Sequence, residues 1–342
     1  MHNFSKLRTT LQVVVSVSTG LGRARSLSTM SNTIAVAQLC STSSKVDNLL
    51  KIAQCAHQAR QQNCVMLFLP ECFGYMGESS EETLKNAEPL IDEKIATNDP
   101  AVSQALVSVV EGREINRDTL QTIDNHPISL LDGLQLIARH SQLWISAGGM
   151  HVRSETKVYN THLILNHQGE VRCHYNKIHL FDVHIPGKVD LRESKTTLPG
   201  HELVVCDSPI GRLGLSTCYD VRFPELYIEL VERGAEVLLV PSAFTVPTGS
   251  AHWHILLRAR AIEQQCYVIA AAQYGQHNPK RCSYGHSLVV NPWGEVVVDA
   301  GGVDRPVVEP PSIVTCDIDL SNIQSVRERM PISVHRKNAH WT

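Results

Sequence analysis

The chain has 342 residues, 43% hydrophobic and 19% charged, which is enough for a large buried core in one big domain or two ordinary ones. A formal net charge of -3 gives no basis for binding nucleic acid or an anionic membrane, and no apolar run reaches the roughly 20 residues of a membrane span. Ten cysteines at irregular spacing, with no CxxC pair, argue against a secreted disulfide scaffold and for a reduced compartment, most thiols being small buried hydrophobes.

Residues 1–46 contain no Asp or Glu, the first acid being Asp47. Lys6, Arg8, Arg23 and Arg25 lie there among many Ser and Thr residues. This is the composition of a mitochondrial transit peptide over residues 1–30, with an unaddressed tail as the plainer alternative. Initiation at Met30 would give a protein without the address, so mitochondrion and cytoplasm are both expected locations.

"TIAVAQL" (Thr33–Leu39), β-branched and apolar, predicts a buried strand. From Ser44 to Gln62 apolar residues recur at helical spacing behind a Ser44 cap candidate. "VMLFLPE" predicts a second strand stopped by Pro70; an acid-rich stretch, a helix through "ISLLDGLQLIARH" and a strand "LWISAGG" follow. "THLILN-HQG-EVRCHYNK" reads as a hairpin turning at Gly169. After "GRLGLSTC" comes the helix "PELYIELVERG", with Pro224 in its first turn and Gly234 at its end. The strand "AEVLLVPSAF", the helix "AHWHILLRARAIEQQ", the strand "CYVIAAAQ", the hairpin "HSLVV-NPWG-EVVVDA" and the strand "SIVTCDIDL" complete the pattern. Alternating strands and helices with hairpins between them imply an α/β fold with a mixed sheet, or two sheets with helices outside, in a single domain.

Three strand ends carry a reactive group: Glu71 after "VMLFLP", Lys177 after "EVRCHYN", and Cys218 after "GRLGLST". Alone, each reads as a solvated acid, an ordinary lysine or a structural cysteine. Together they are more informative, because strand ends in α/β folds are where ligand sites gather. A thiol titrates near ~8.5 and needs a base or a cation to become a nucleophile at neutral pH. A carboxylate can take its proton, and a lysine can stabilise the oxyanion formed when sulfur attacks a carbonyl.

Other chemistries fit less well. His252 and His254 are close in sequence, and His174, His179 and His184 recur at five-residue spacing. No Cys/His set matches a structural zinc pattern and HExxH is absent, so no metal is expected. No local signature of a cysteine protease surrounds Cys218, and neither GxGxxG nor GxxxxGK[ST] occurs.

"FLPECF" around Glu71, "NKIHLFDV" around Lys177 and "STCYDVRFPEL" around Cys218 resemble, in that order, the motifs of the nitrilase (carbon–nitrogen hydrolase) superfamily. The similarity runs from about Thr33 to His335. The resemblance implies an α-β-β-α sandwich over residues 31–335 with a tail at 336–342, assembled as a homodimer or higher homo-oligomer. It implies Glu71 as proton acceptor, Lys177 as proton donor and oxyanion partner, Cys218 as nucleophile and Glu193, in "LRESKTTLPG", as the acid that orients the lysine. It needs no cofactor. Tyr219, through its backbone N–H, and Arg222, four residues past the thiol, are the candidates for substrate contact; a surface salt bridge is the plainer reading of Arg222.

"LLRARAIEQQCYVIAAAQYGQHNPKRCSYGHSLVVNPWGEV" resembles the deaminated glutathione amidase branch more closely than the neighbouring omega-amidases. That implies a small-molecule amide as partner, cleaved to 2-oxoglutarate and cysteinylglycine. Omega-amidase action on 2-oxoglutaramate, or a non-catalytic binding protein on the same frame, are the alternatives. Some animal members of the branch are fused to a histidine-triad hydrolase domain, whose HxHxH run does not occur in these 342 residues. The chain departs from the family in two places. "TGSAHWH" stands for the usual "TGPAHWE", placing Ser250 and His254 near the expected rim of the site. Residues 95–127 read as a polar insertion, a surface excursion that could border the site.

Overall fold

The computed structural model describes residues 32–90, 98–115, 122–123, 126, 128–185, 189–306 and 309–338. The transit-peptide reading of residues 1–30 and the last residues of the expected tail, 339–342, lie outside the described residues. The first elements are β1 (Thr33–Leu39), α1 (Lys45–Gln61), β2 (Met66–Leu69), α2 (Ser80–Asn86), α3 (Pro100–Val110) and α4 (Leu130–Ser141). Then come β3 (Trp144–Arg153), β4 (Val158–Leu165), β5 (Val171–Asn176), β6 (Asp182–Ile185), β7 (Val189–Arg192), β8 (Val205–Ser208), β9 (Gly211–Leu215) and α5 (Pro224–Glu232). The remainder is β10 (Val237–Leu239), α6 (Val246–Gln264), β11 (Tyr267–Ala270), β12 (Ala272–Asn278), β13 (Arg281–Tyr284) and β14 (Leu288–Val290). β15 (Val296–Asp299), β16 (Ser312–Asp317), α7 (Leu320–Arg329) and α8 (Ile332–Asn338) close the chain.

Among the described residues the strands form two large sheets and a small hairpin of β6 and β7. The first sheet runs β13-β12-β1-β2-β3-β4-β5, with β16 antiparallel along β1. The second runs β15-β14-β11-β10-β9-β8. In each sheet the inner strands are parallel and the outer ones antiparallel: β12, β1, β2 and β3 in one, β9, β10 and β11 in the other.

The layering follows from side-chain alternation in runs that are apolar throughout. In β1, Ala35, Ala37 and Leu39 face the helices, while Ile34 and Val36 face the second sheet. In β10, Val237 and Leu239 face the first sheet, while Leu238, and Val240 just past the strand, face α5 and α6. Three cores therefore stack in order: α1, α3 and α4 on the first sheet, sheet on sheet, and α5 and α6 on the second. This is the expected α-β-β-α sandwich. Local signals agree with it: Ser44 and Ser129 each accept a hydrogen bond from the third residue on, capping α1 and α4.

Three sequence expectations are corrected. "CYVIAAAQ" is not one strand: β11 belongs to the second sheet and β12 to the first, the chain crossing between them at Ala271. α6 starts at Val246, five residues before the predicted helix, because Pro247 suits a helix's first turn. The part of 95–127 that forms α3 is not a surface excursion, since it buries Val102, Ala105, Leu106 and Val110 in the first core. Asp99 caps that helix, so the Asp and Asn content reads as punctuation around a core element.

Candidate active site

Glu71 follows β2, Lys177 follows β5 and Cys218 follows β9, so strand ends from both sheets meet at one edge of the sandwich. Glu193 arrives at the end of the β6–β7 hairpin, in a short 3₁₀ turn. The structure brings all four side chains together. Lys177 Nζ donates to Glu71 Oε1 at 3.1 Å and to Glu193 at 2.8 Å and 3.1 Å. Cys218 lines the same cavity beside them, close enough for the Glu71 and Lys177 charges to act on its thiol. Lys177 is 2% exposed and Glu71 4%, so this is a buried charge cluster in which every charge needs its partner.

The backbone at the site is bent to suit. Cys218 has φ 51° and Cys72, next to Glu71, has φ 58°. Both are left-handed conformations that cost a side-chain-bearing residue about 1–3 kcal/mol and persist where the surroundings enforce them. The enforcement is visible, since Cys218 N–H donates to Pro241 O and Cys72 N–H to Gly149 O, each at 2.9 Å. Gly149 must be glycine: at φ 73° its added Cβ would lie 2.8 Å from both Glu71 Cγ and Asn160 Oδ1.

Sequence reasoning missed the groups that hold the four. Asn160 Nδ2 donates to Glu71 Oε1 at 2.8 Å and to Glu193 Oε1 at 3.3 Å, and Ala243 N–H donates to Glu71 Oε2 at 3.0 Å. Asp220, fully buried, ties the lysine loop to the cysteine turn. It accepts from Tyr175 Oη at 2.7 Å, from the N–H of His179 at 3.0 Å and from the N–H of Thr217 at 2.9 Å. Thr217 and Asp220 stand at capping-box spacing, which is the one sequence signal that was available.

The electrostatics assign resting protonation states. Burial pushes the Glu71 carboxyl up, but the Lys177 ammonium and the hydrogen bonds from Cys218 and Asn160 outweigh it, leaving the group below its ordinary range. Burial and the Glu71 charge hold the Cys218 thiol well above the usual thiol range, against the pull of Lys177. Burial also disfavours the Lys177 cation, but Glu193 and Glu71 override it and raise the ammonium well above its usual range. The cluster therefore rests as carboxylate, ammonium and neutral thiol: a base next to its proton donor, and a cation beside the nucleophile.

These groups form the floor of a cavity of about 680 Å³, room for a peptide-sized metabolite. Six basic side chains line it against three carboxylates, which makes the mouth a receiver of anions. Tyr219 and Arg222 both line it. The salt-bridge reading of Arg222 does not hold: among the described residues it pairs with no carboxylate, lying 5.7 Å over the Tyr219 ring with Nη2 3.2 Å from His252 Nδ1. Ser250 and His254 are not at the rim. Only the first turn of α6, through Thr248, faces the cavity; Ser250 points to solvent and His254 turns to Asp299. None of the described residues of 95–127 lines the cavity either.

A family model described as carbon–nitrogen hydrolase matches residues 33–328. The nitrilase and fragile histidine triad fusion protein NitFhit of Drosophila melanogaster is 42% identical over 90% of this chain, which spans only 58% of that protein. The deaminated glutathione amidase of Bos taurus is 40% identical over 89% of this chain and 81% of its own length. The crystal structure of NitFhit from Caenorhabditis elegans superposes with a TM-score of 0.73 at 40% identity, over 91% of this chain and 66% of that one. With its sandwich, the order of its strand-end motifs and these relatives in agreement, the chain belongs to the carbon–nitrogen hydrolase family.

Proposed function

We propose that this chain hydrolyses the amide of deaminated glutathione, giving 2-oxoglutarate and cysteinylglycine through a thioester on Cys218. The observation that carries the chemistry is the convergence on one cavity of the partly exposed Cys218 with Glu71 and its buried partner Lys177. Glu71 takes the thiol proton as sulfur attacks the carbonyl carbon, and the oxyanion forms beside the Lys177 ammonium and the Tyr219 N–H. The C–N bond then breaks, and the proton held on Glu71 goes to the departing amine. Water, deprotonated by Glu71, next attacks the thioester, and the C–S bond breaks to return the thiol. The substrate class follows from the cavity and from the amidases this chain resembles. Deaminated glutathione carries a carboxylate at each end, and Arg222 on one wall and Lys280 and Arg281 on another offer cations for both.

The test compares kcat/KM for deaminated glutathione, 2-oxoglutaramate and intact glutathione on one preparation starting at Met30. Deaminated glutathione is expected to be turned over best and glutathione hardly at all, because its α-ammonium would face the basic wall. Equal or better turnover of 2-oxoglutaramate would make the chain an omega-amidase. Silence on all three, with an unreactive Cys218, would make it a binding protein on a hydrolase frame.

The protonation states also fix a pH profile. Glu71 must be ionised, and its depressed pKa keeps it so well below neutrality; the thiol and the ammonium keep their protons far into alkali. kcat/KM is expected to stay level from about pH 6 to pH 9 and to fall in acid only below the ordinary carboxylate value of about 4.3. A limb centred near pH 7 would mean that Glu71 is not the base.

A further inference from the structure

Outside the cavity, His254 on α6, His286 just before β14 and Asp299 at the end of β15 converge on one point. His254 Nε2 lies 3.1 Å from Asp299 Oδ2, and His286 Nδ1 lies 2.9 Å and 3.0 Å from the two oxygens of that carboxylate. Their donor atoms all fall within 4.8 Å of one another. Tetrahedral zinc with N and O ligands at about 2.0–2.2 Å spaces its ligand atoms about 3.3 Å apart, so only a slight spreading would seat an ion among these three.

The surroundings are those of a built site. His286 is fully buried, its Nε2 lying 2.6 Å from Asp304 Oδ1, the carboxylate–histidine pairing that orients a ligating imidazole. Its backbone is clamped: its N–H donates to Gly301 O at 2.7 Å and its carbonyl accepts from Trp253 Nε1 at 2.9 Å. Gly302 lies so close that a Cβ there would sit 2.3 Å from the imidazole Cδ2. Asp299 Oδ1 also accepts from the Gly301 N–H at 2.9 Å. Arg305 Nη1 stands 3.6 Å from Asp299 Oδ2 on a side chain 62% exposed, which can swing aside for a cation. His254 is partly exposed and opens the cluster to solvent. The family resemblance leads one to expect Glu at position 254; His there completes a His-His-Asp set.

We propose that His254, His286 and Asp299 form a binding site for a divalent transition metal, zinc foremost, separate from the catalytic cavity and tying α6 to the β14–β15 hairpin. Sequence spacing hid it, because the three ligands come from positions 32 and 13 residues apart on different elements. The test uses the full chain, stripped with a chelator and exchanged into chelator-free buffer. It is titrated with Zn²⁺ by calorimetry and with Co²⁺ by visible absorption. Wild type and Cys218→Ala are both expected to bind one equivalent, with the melting temperature rising by about 5 °C at a hundredfold excess over Kd. His254→Gln is expected to abolish binding while keeping amide turnover and the metal-free melting temperature. Asp304→Asn is expected to weaken binding by about tenfold or more. No saturable binding by wild type would overturn the proposal, as would binding that survives His254→Gln but disappears in Cys218→Ala. Should His254→Gln fail to fold, Asp304→Asn decides, and an unchanged affinity there rejects the site.

Discussion

Cys218→Ala is expected to lower amide turnover by at least about 10⁴-fold, the scale of losing a covalent nucleophile whose supporting groups remain. Its fold should survive. The change deletes one partly buried sulfur, and the Pro241 hydrogen bond that fixes the turn comes from the backbone N–H. Glu71 keeps Lys177, Asn160 and the Ala243 N–H. Melting is therefore expected within a few degrees of wild type, which separates loss of chemistry from loss of structure. In the wild type, acid quenching during turnover should leave an acyl group on Cys218 that peptide mass spectrometry can locate. Cys72 and Cys266 are the controls: burial pushes both thiols up to about 12, so neither supplies thiolate at neutral pH. An acyl group on either of them, or turnover that survives in Cys218→Ala, would sink the thioester pathway.

Those predictions rest on residues that were legible in the sequence to different degrees. Glu71, Lys177 and Cys218 each end an apolar run, and a strand's end is visible without knowing its neighbours. Convergence is not visible. The Ala243 N–H reaches Glu71 across 172 residues, and Asn160 reaches it across 89. A backbone donor and a mid-strand amide carry no motif of their own. The layer order came from the family resemblance, since alternation leaves no mark in runs that are apolar throughout, and the crossing at Ala271 was not visible either. An unbroken apolar run serves one buried strand as well as two in different sheets. α3 was misjudged because its cap and flanks are polar while its interior is not. His254 was misplaced for a related reason: spacing along α6 says how far a residue lies from the first turn, but not which neighbour receives its side chain.

Lys177→Met gives the second large effect, and it divides into two parts that can be measured separately. Removing the ammonium deletes the cation beside the proposed oxyanion, expected to lower kcat by about 10²–10³-fold. It also leaves Glu71 and Glu193 facing each other with their shared partner gone, which for a buried group 2% exposed is expected to destabilise by about 3–5 kcal/mol. The double variant Lys177→Met/Glu193→Gln removes one of the two stranded charges. Urea melts are expected to show much of the stability returning, while turnover stays low because nothing replaces the cation. The pH profile then distinguishes a catalytic from a merely structural lysine. Burial raises the Glu71 pKa, and Lys177 is the charge that chiefly holds it down, so Lys177→Met should carry the acid limb of kcat/KM upward toward neutrality. In the double variant the limb should move part of the way back, because one neighbouring negative charge is gone. Turnover in Lys177→Met within about tenfold of wild type would reject Lys177 as the oxyanion partner, given the size of effect such donors carry. Recovery of turnover together with stability in the double variant would show that the lysine does no more than neutralise its two acids.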